Sequence, residues 1–266
     1  TYTLEGNGGN SDGTFSTGET TDLGTIKGAA FPASANPSLS DGTLTMTLPA
    51  EISLDEGLCN LPMYAATSSE SNVSFKHMGG VLRIDLSNIP DNTTKLVLTS
   101  SNAISGAFTA NVEENQPVLV ASSSSGDDAK KVTVTFTRNE TKKRLFYIPL
   151  PAGLYGSLTV ELGGEAGYTT KTLRNWTNLM VERAKIYTAS LSYKEIDATT
   201  PSEVKTALAD IVTEANAENI KTFQIDLTNT IDATTDSDGG IEVPEVQGTT
   251  VAMNFADVVG TSAKFI

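Results

Sequence analysis

Apolar and hydroxyl residues alternate with a period of two through the middle of the chain. Val132, Val134 and Phe136 interleave with Thr133, Thr135 and Thr137, giving the one apolar and one hydroxyl face of a half-buried strand. Leu96 and Leu98 alternate in T-K-L-V-L-T-S, and Leu158, Val160 and Leu162 do so ahead of Gly163-Gly164. Val81, Leu82, Ile84 and Leu86 make a nearly continuous buried strand ending at Asn88-Ile89-Pro90. R-L-F-Y-I-P-L runs into P-A-G-L-Y-G, where prolines end a strand and glycines turn the chain, and A-K-I-Y-T-A-S-L-S-Y closes the segment. Strands spaced about 8–12 residues apart with turn signals between them predict an antiparallel β-sandwich over 75–195. Gly79 and Gly80, at the head of this segment, predict a bend or bulge where the strand enters the core.

The flanking segments read differently. Residues 1–74 are broken by turn formers, G-N-G-G-N-S-D-G at 6–13 and F-P-A-S-A-N-P at 31–37. Short strands fit between them at 14–17, 24–30, 43–48 and 61–66, as part of a small N-terminal β-domain that is short for a complete one. After residue 195, Thr200-Pro201-Ser202-Glu203 combines a capping box with proline at the first helical position. Val204, Leu208, Ile211, Val212 and Ala215 follow at helical spacing and predict one amphipathic helix over 201–216. F-Q-I-D-L-T, I-E-V-P and T-V-A-M-N-F then read as short strands. A helix followed by closely spaced short strands resembles the cap and first rungs of a β-solenoid, so 196–266 is expected to be a separate module. The fold class is therefore all-β, sandwich domains followed by a small helix-plus-strands module.

Charge sharpens this division. Residues 1–74 hold nine acids and one base, 75–195 hold 11 acids and 14 bases, and 196–266 hold 12 acids and three bases. The whole chain carries −14, which excludes a phosphate-neutralising nucleic-acid surface and disfavours an anionic membrane. No apolar run approaches the ~20 residues needed to span a bilayer. A start at Thr1 without a signal peptide fits a mature chain or one trimmed of its targeting segment, and S-A-K-F-I stops without a turn signal, which leaves continuation past Ile266 open.

Candidate chemistry is sparse. His77 is the sole histidine and Cys59 the sole cysteine, so an intramolecular disulfide framework and a cysteine-based zinc cluster are excluded by count, and a multi-ligand transition-metal site is disfavoured. His77 ends V-S-F-K-H with no second histidine or nucleophile elbow in the sequence, and reads as a strand residue. Cys59, in E-G-L-C-N-L-P, has no adjacent base to lower its pKa and reads as packing. Asp232, Asp236 and Asp238 are the metal candidates, but they lack the alternate spacing and closing glutamate of a calcium loop and read as a solvated turn. Trp176, in L-R-N-W-T-N, is the one candidate for stacking on a ligand, set against packing beneath a loop. The glycine-rich stretch at 6–13 neither follows an apolar strand nor opens a helix, so it is no phosphate loop. No carboxylate pair is singled out, no cofactor is implied, and the chain is expected not to be an enzyme.

Three stretches carry a family likeness: F-K-H-M-G-G-V-L-R-I-D-L-S-N-I-P at 75–90, L-F-Y-I-P-L-P-A-G-L-Y at 145–155 and V-E-R-A-K-I-Y at 181–187. With G-A-A-F-P-A-S at 28–34 and the later D-G-T-L-T-M-T-L-P, they resemble the fimbrillin-like family of type V pilins and surface adhesins, over about residues 1–195. The resemblance implies transthyretin-like sandwich domains, export as a lipoprotein through an N-terminal lipid anchor outside this chain, and display on the outer membrane of a Gram-negative cell. It also implies partners of two kinds: other pilin or surface subunits joined by β-strand exchange, and a glycan or protein on a host or other surface. Family maturation cuts after an arginine, but the first arginine here is Arg83, so Thr1 either follows the cut or the chain is not processed that way. An appended module at 196–266 suits a minor or tip pilin. The alternative is a surface protein that binds or degrades polysaccharide, with a β-solenoid extending past Ile266.

Overall fold

A computed structural model describes residues 3–5, 14–16, 28–54, 61–66, 74–122, 126–137, 142–218, 220–232, 241, 243–244, 246–253 and 258–259. The N-terminal region carries β1 (Thr3–Glu5), β2 (Thr14–Ser16), β3 (Gly28–Phe31), β4 (Ser38–Ser40), β5 (Thr43–Leu48), β6 (Glu51–Ser53) and β7 (Met63–Ala66). The middle carries β8 (Lys76–His77), β9 (Gly79–Ser87), β10 (Thr93–Ser100), β11 (Gly106–Asn111), β12 (Val120–Ala121), β13 (Lys131–Thr135), β14 (Arg144–Pro151), β15 (Gly153–Gly164), β16 (Lys171–Val181) and β17 (Ile186–Ile196). Helix α1 (Pro201–Glu218) precedes β18 (Thr222–Leu227), β19 (Ile231–Asp232), β20 (Thr250–Met253) and β21 (Val258–Val259).

Two five-stranded sheets form the sandwich, one ordered β16-β15-β10-β13-β6 and the other β14-β9-β17-β18-β20. The period-two residues meet between them. Leu82, Ile84, Leu86, Phe146, Ile148, Leu150, Leu191 and Tyr193 from one sheet pack on Leu96, Leu98, Val132, Val134, Leu158, Val160 and Leu162 from the other. Phe136 and Phe146 add an edge-to-face contact at 5.1 Å. Pairing is antiparallel along β16-β15-β10-β13 and between β14 and β9, whereas β6–β13 and β9–β17 are parallel.

Gly79 and Gly80 do not bulge the strand. The β9–β14 register runs unbroken from Arg144↔Leu86 to Pro151↔Gly79. They are small because backbone crowds them: a Cβ on Gly79 would lie 2.3 Å from the Leu150 carbonyl oxygen, and one on Gly80 2.7 Å from that of Glu182. Close approach is what these positions require, and the chain bends one residue earlier, at Met78.

The N-terminal region does not complete its sheet alone. Its four-stranded sheet is ordered β12-β11-β5-β4, so two strands come from the middle of the sequence. Asp41 and Gly42, both at positive φ, turn β4 into β5 as a two-residue hairpin loop. Leu44, Met46 and Leu48 face inward with Phe108, Ala110, Leu119, Tyr64 and Met78. In exchange, β6 leaves this region to join the sandwich beside β13. The strands expected at 43–48 and 61–66 are present as β5 and β7.

The C-terminal module is built on the edge of the sandwich. β18 adds parallel to β17, and β20 adds parallel to β18 with Thr222 opposite Thr250, an offset of 28 residues. β19 pairs parallel with β21, Ile231 opposite Val258, an offset of 27. Two turns of chain thus stack as solenoid rungs do. β17 serves both cores, placing Ala189, Leu191 and Tyr193 in the sandwich and Ile196 beneath α1. Among the described residues of I-E-V-P, Ile241, Val243 and Pro244 are not in a strand; Ile241 is instead buried in the module core.

Helix α1 begins as its sequence requires. The Thr200 hydroxyl accepts from the Glu203 N–H at 3.3 Å, while the Glu203 carboxylate accepts from the Thr199 and Thr200 N–H groups at 2.8 and 3.1 Å. Val204, Leu208, Ile211 and Ala215 are buried on the ladder. Glu214 holds the helix to the sandwich by accepting from Asn88 Nδ2 at 2.5 Å and pairing with Lys194 at 2.6 Å. Thr200→Ala is expected to cost about 1 kcal/mol in thermal melts. The hydrogen bonds from Thr199, then Thr200, hold the Glu203 carboxyl below the ordinary glutamate range. Its contribution is therefore full above that range and lost as pH falls through the lowered value. The melting gap between wild type and Glu203→Gln should be present at neutral pH and close in acid.

Candidate functional site

Among the described residues, those singled out by sequence, His77, Trp176 and Asp232, lie in three different sheets. His77 pairs with Met63 at the end of β8, is half-buried, and uses its carbonyl to accept from Arg183 Nε at 2.7 Å. It is a strand residue. Cys59, Asp236 and Asp238 lie outside the described residues, and Asp232 sits opposite Val259 in the β19–β21 pair. Among the described residues no group of three or more histidines, cysteines, aspartates or glutamates is placed to hold a metal.

Trp176 lies not in a loop but in β16, an eleven-residue strand at the end of its sheet. It is opposite Leu158, whose side chain is fully buried, so the indole faces inward and packs on the margin of the sandwich core. The Arg174 guanidinium lies 5.9 Å from the ring centroid. The indole is thereby partly buried against the protein's own side chains.

β16 closes the mouth of the sandwich with polar side chains. Arg174 donates to the Thr222 hydroxyl on β18 at 2.9 Å. Lys171 reaches Glu195 at 3.3 Å and Asp226 at 3.8 Å, with its ammonium 5.5 Å from the Tyr193 ring. The Tyr193 hydroxyl donates to Asp226 Oδ2 at 2.7 Å. Burial, followed by the Asp226 carboxylate, pushes that phenol far above its ordinary range, so it stays a donor at any physiological pH.

Beside this network opens a cleft of about 570 Å³, lined by Asn92, Thr94, Glu165, Tyr168, Lys171 and Glu195 among others. Its one aromatic, Tyr168, is carried by the β15–β16 turn. The Tyr168 N–H donates to the Glu165 carbonyl at 3.0 Å, and Gly167 at φ +91° takes the position where that turn needs positive φ. The Tyr168 and Thr93 hydroxyls are 2.9 Å apart. The ring also lies against Gly164, where a Cβ would come within 2.6 Å of two ring atoms. Sequence reasoning passed over Tyr168 because one tyrosine in G-G-E-A-G-Y-T-T carries no periodic signal. The available clue was a glycine turn delivering an aromatic to a strand end. A smaller cleft of about 320 Å³ lies by Lys76, Asn115 and Arg183.

No protein-family model matches the chain, and no curated protein matches it. Among solved structures, one from Bacteroides ovatus, provisionally named a cell adhesion protein, is similar with TM-score 0.40 and 15% identity, covering 66% of this chain and 69% of its own. Another from Bacteroides uniformis, named in the same provisional way, has TM-score 0.36 and 16% identity, covering 60% and 65%. Among the described residues no helix is long and apolar enough to cross a membrane.

Proposed function

We propose that this chain is a non-enzymatic cell-surface adhesin with a fimbrillin-like body, a minor or tip pilin that carries the solenoid-like module. One observation carries the reading: the three stretches behind the family resemblance converge in space. The Val81 N–H donates to the Lys185 carbonyl at 2.9 Å and the Ala184 N–H to the Gly79 carbonyl at 2.9 Å. Gly79 lies against Leu150, and Gly80 against Glu182. Segments 75–90, 145–155 and 181–187 thus form one close-packed end of the sandwich. Gly79 and Gly80 there answer a backbone packing demand rather than a chemical one.

Assembly by strand exchange is part of the proposal, and the edges constrain it. The Val81 N–H is spent on the Lys185 carbonyl, away from β14, so Pro149 opposite Val81 turns its nitrogen outward. Pro151, two residues on, does the same. That half of the β14 edge has no donors for an incoming strand. A second reading, a surface protein that binds or degrades polysaccharide with a longer solenoid, is favoured by the 27- and 28-residue rung offsets and requires further rungs after β21.

Beads coated with the purified chain are expected to adhere to cells or surface extracts above an albumin-coated control, and soluble chain should compete. Adhesion equal to the control would remove this reading.

A further inference from the structure

We infer that the Tyr168 cleft is a binding site for a neutral saccharide. This deepens the adhesion reading by giving it a ligand class, and it rests on observations of its own. A saccharide presents hydroxyls around its rim and an apolar C–H face, so its site needs an ordered aromatic surface ringed by donors and acceptors. Tyr168 supplies the surface. Its ring is fixed before any ligand arrives, by Gly164 on one side, by the hydrogen bond with Thr93 and by the turn through Gly167. Ordering it on binding therefore costs little entropy.

The rim is equally prepared. Asn92 and Thr94 bring an amide and a hydroxyl residue to the lining, and Glu165, Lys171 and Glu195 bring charged ones. Lys171 is held by Glu195 and Asp226 and has no freedom to collapse into the cleft. Two carboxylates against one ammonium leave the rim acidic, and the chain as a whole carries −14. Acidic sugars are therefore disfavoured, and the charged groups of the rim also disfavour a lipid chain.

The test is titration of the intact chain with maltohexaose, cellohexaose, mannohexaose and xylohexaose, with sialyllactose and polygalacturonate as acidic counter-probes. At least one neutral probe is expected to bind saturably. Tyr168→Ala should weaken it about tenfold, the loss of one aromatic stacking contact, whereas Tyr168→Phe should retain most of it. Thr169→Trp, at an exposed position lining the cleft, should block binding without disturbing the ring's supports, and it decides the matter if Tyr168→Ala fails to fold. Binding to no neutral probe, preference for the acidic ones, or binding unchanged in Thr169→Trp would overturn the assignment. A chain that adheres to cells yet binds no neutral glycan removes the cleft and leaves adhesion standing; one that binds glycan but does not adhere does the reverse.

Discussion

Gly80→Val should lower the unfolding free energy by about 3 kcal/mol, the upper end of what overpacking costs, because two of its three nearest neighbours are backbone and cannot rotate away. The added Cβ would meet the Glu182 carbonyl oxygen at 2.7 Å, Val181 Cγ1 at 2.8 Å and the Lys185 carbonyl oxygen at 3.2 Å. Relief requires the 182–185 turn to move off β9. That turn carries Arg183, which donates to His77, and Ala184 at φ 56°, whose N–H donates to Gly79. The strain therefore spreads into β8, β14 and the start of β17 together. Denaturant unfolding should show the lowered midpoint, and the amides of Val81 and Ala184 should exchange faster than those in β13. A loss below about 1 kcal/mol, the level of an ordinary surface change, would mean the turn yields easily and that these glycines do not organise the sandwich end.

The same contacts explain what could be read from the chain beforehand. Where a strand buries one face, as β5, β10, β13 and β15 do, side chains must alternate, and those elements were legible. The capping box of α1 was legible because its partners lie within four residues. β16 was not. It puts Leu173 and Val181 in the core, but Lys171, Arg174 and Trp176 beside them reach to Asp226, Thr222 and the core margin, and a register shift at Val160/Glu161 breaks the alternation. Leu173, Trp176, Leu179 and Val181, apolar residues of this strand, do not fall at a period of two, so no strand signal shows in the sequence. β11 was missed for a different reason: G-A-F-T-A-N has small residues and a partner, β5, some sixty residues away. Tertiary context, not local propensity, makes it a strand. The bend ahead of Gly79 was legible, but the close packing of Gly79 and Gly80 was not, since crowding by another segment's backbone leaves no trace in the local sequence.

Phe223→Ala is expected to have the larger effect, about 3–5 kcal/mol, and to act on one part of the molecule. Phe223 is fully buried in the module core and stands between Ser192 of β17 and Val251 of β20 in the parallel ladder. Removing its ring empties the space between the ladder and α1. A loss of that size is a large fraction of the 5–15 kcal/mol or so that holds a typical domain, so the module should unfold first. The sandwich has its own core, to which Phe223 does not belong. It loses the β18 neighbour of β17, together with the Tyr193–Asp226, Arg174–Thr222 and Asn88–Glu214 hydrogen bonds, but no apolar layer. Hydrogen exchange should therefore show protection collapsing in α1 and β18 while β10, β13 and β15 keep theirs. Equal loss across all of these strands would mean that the polar ties and the shared strand β17 make one cooperative unit. The module would then be part of the sandwich's stability rather than an addition to its edge.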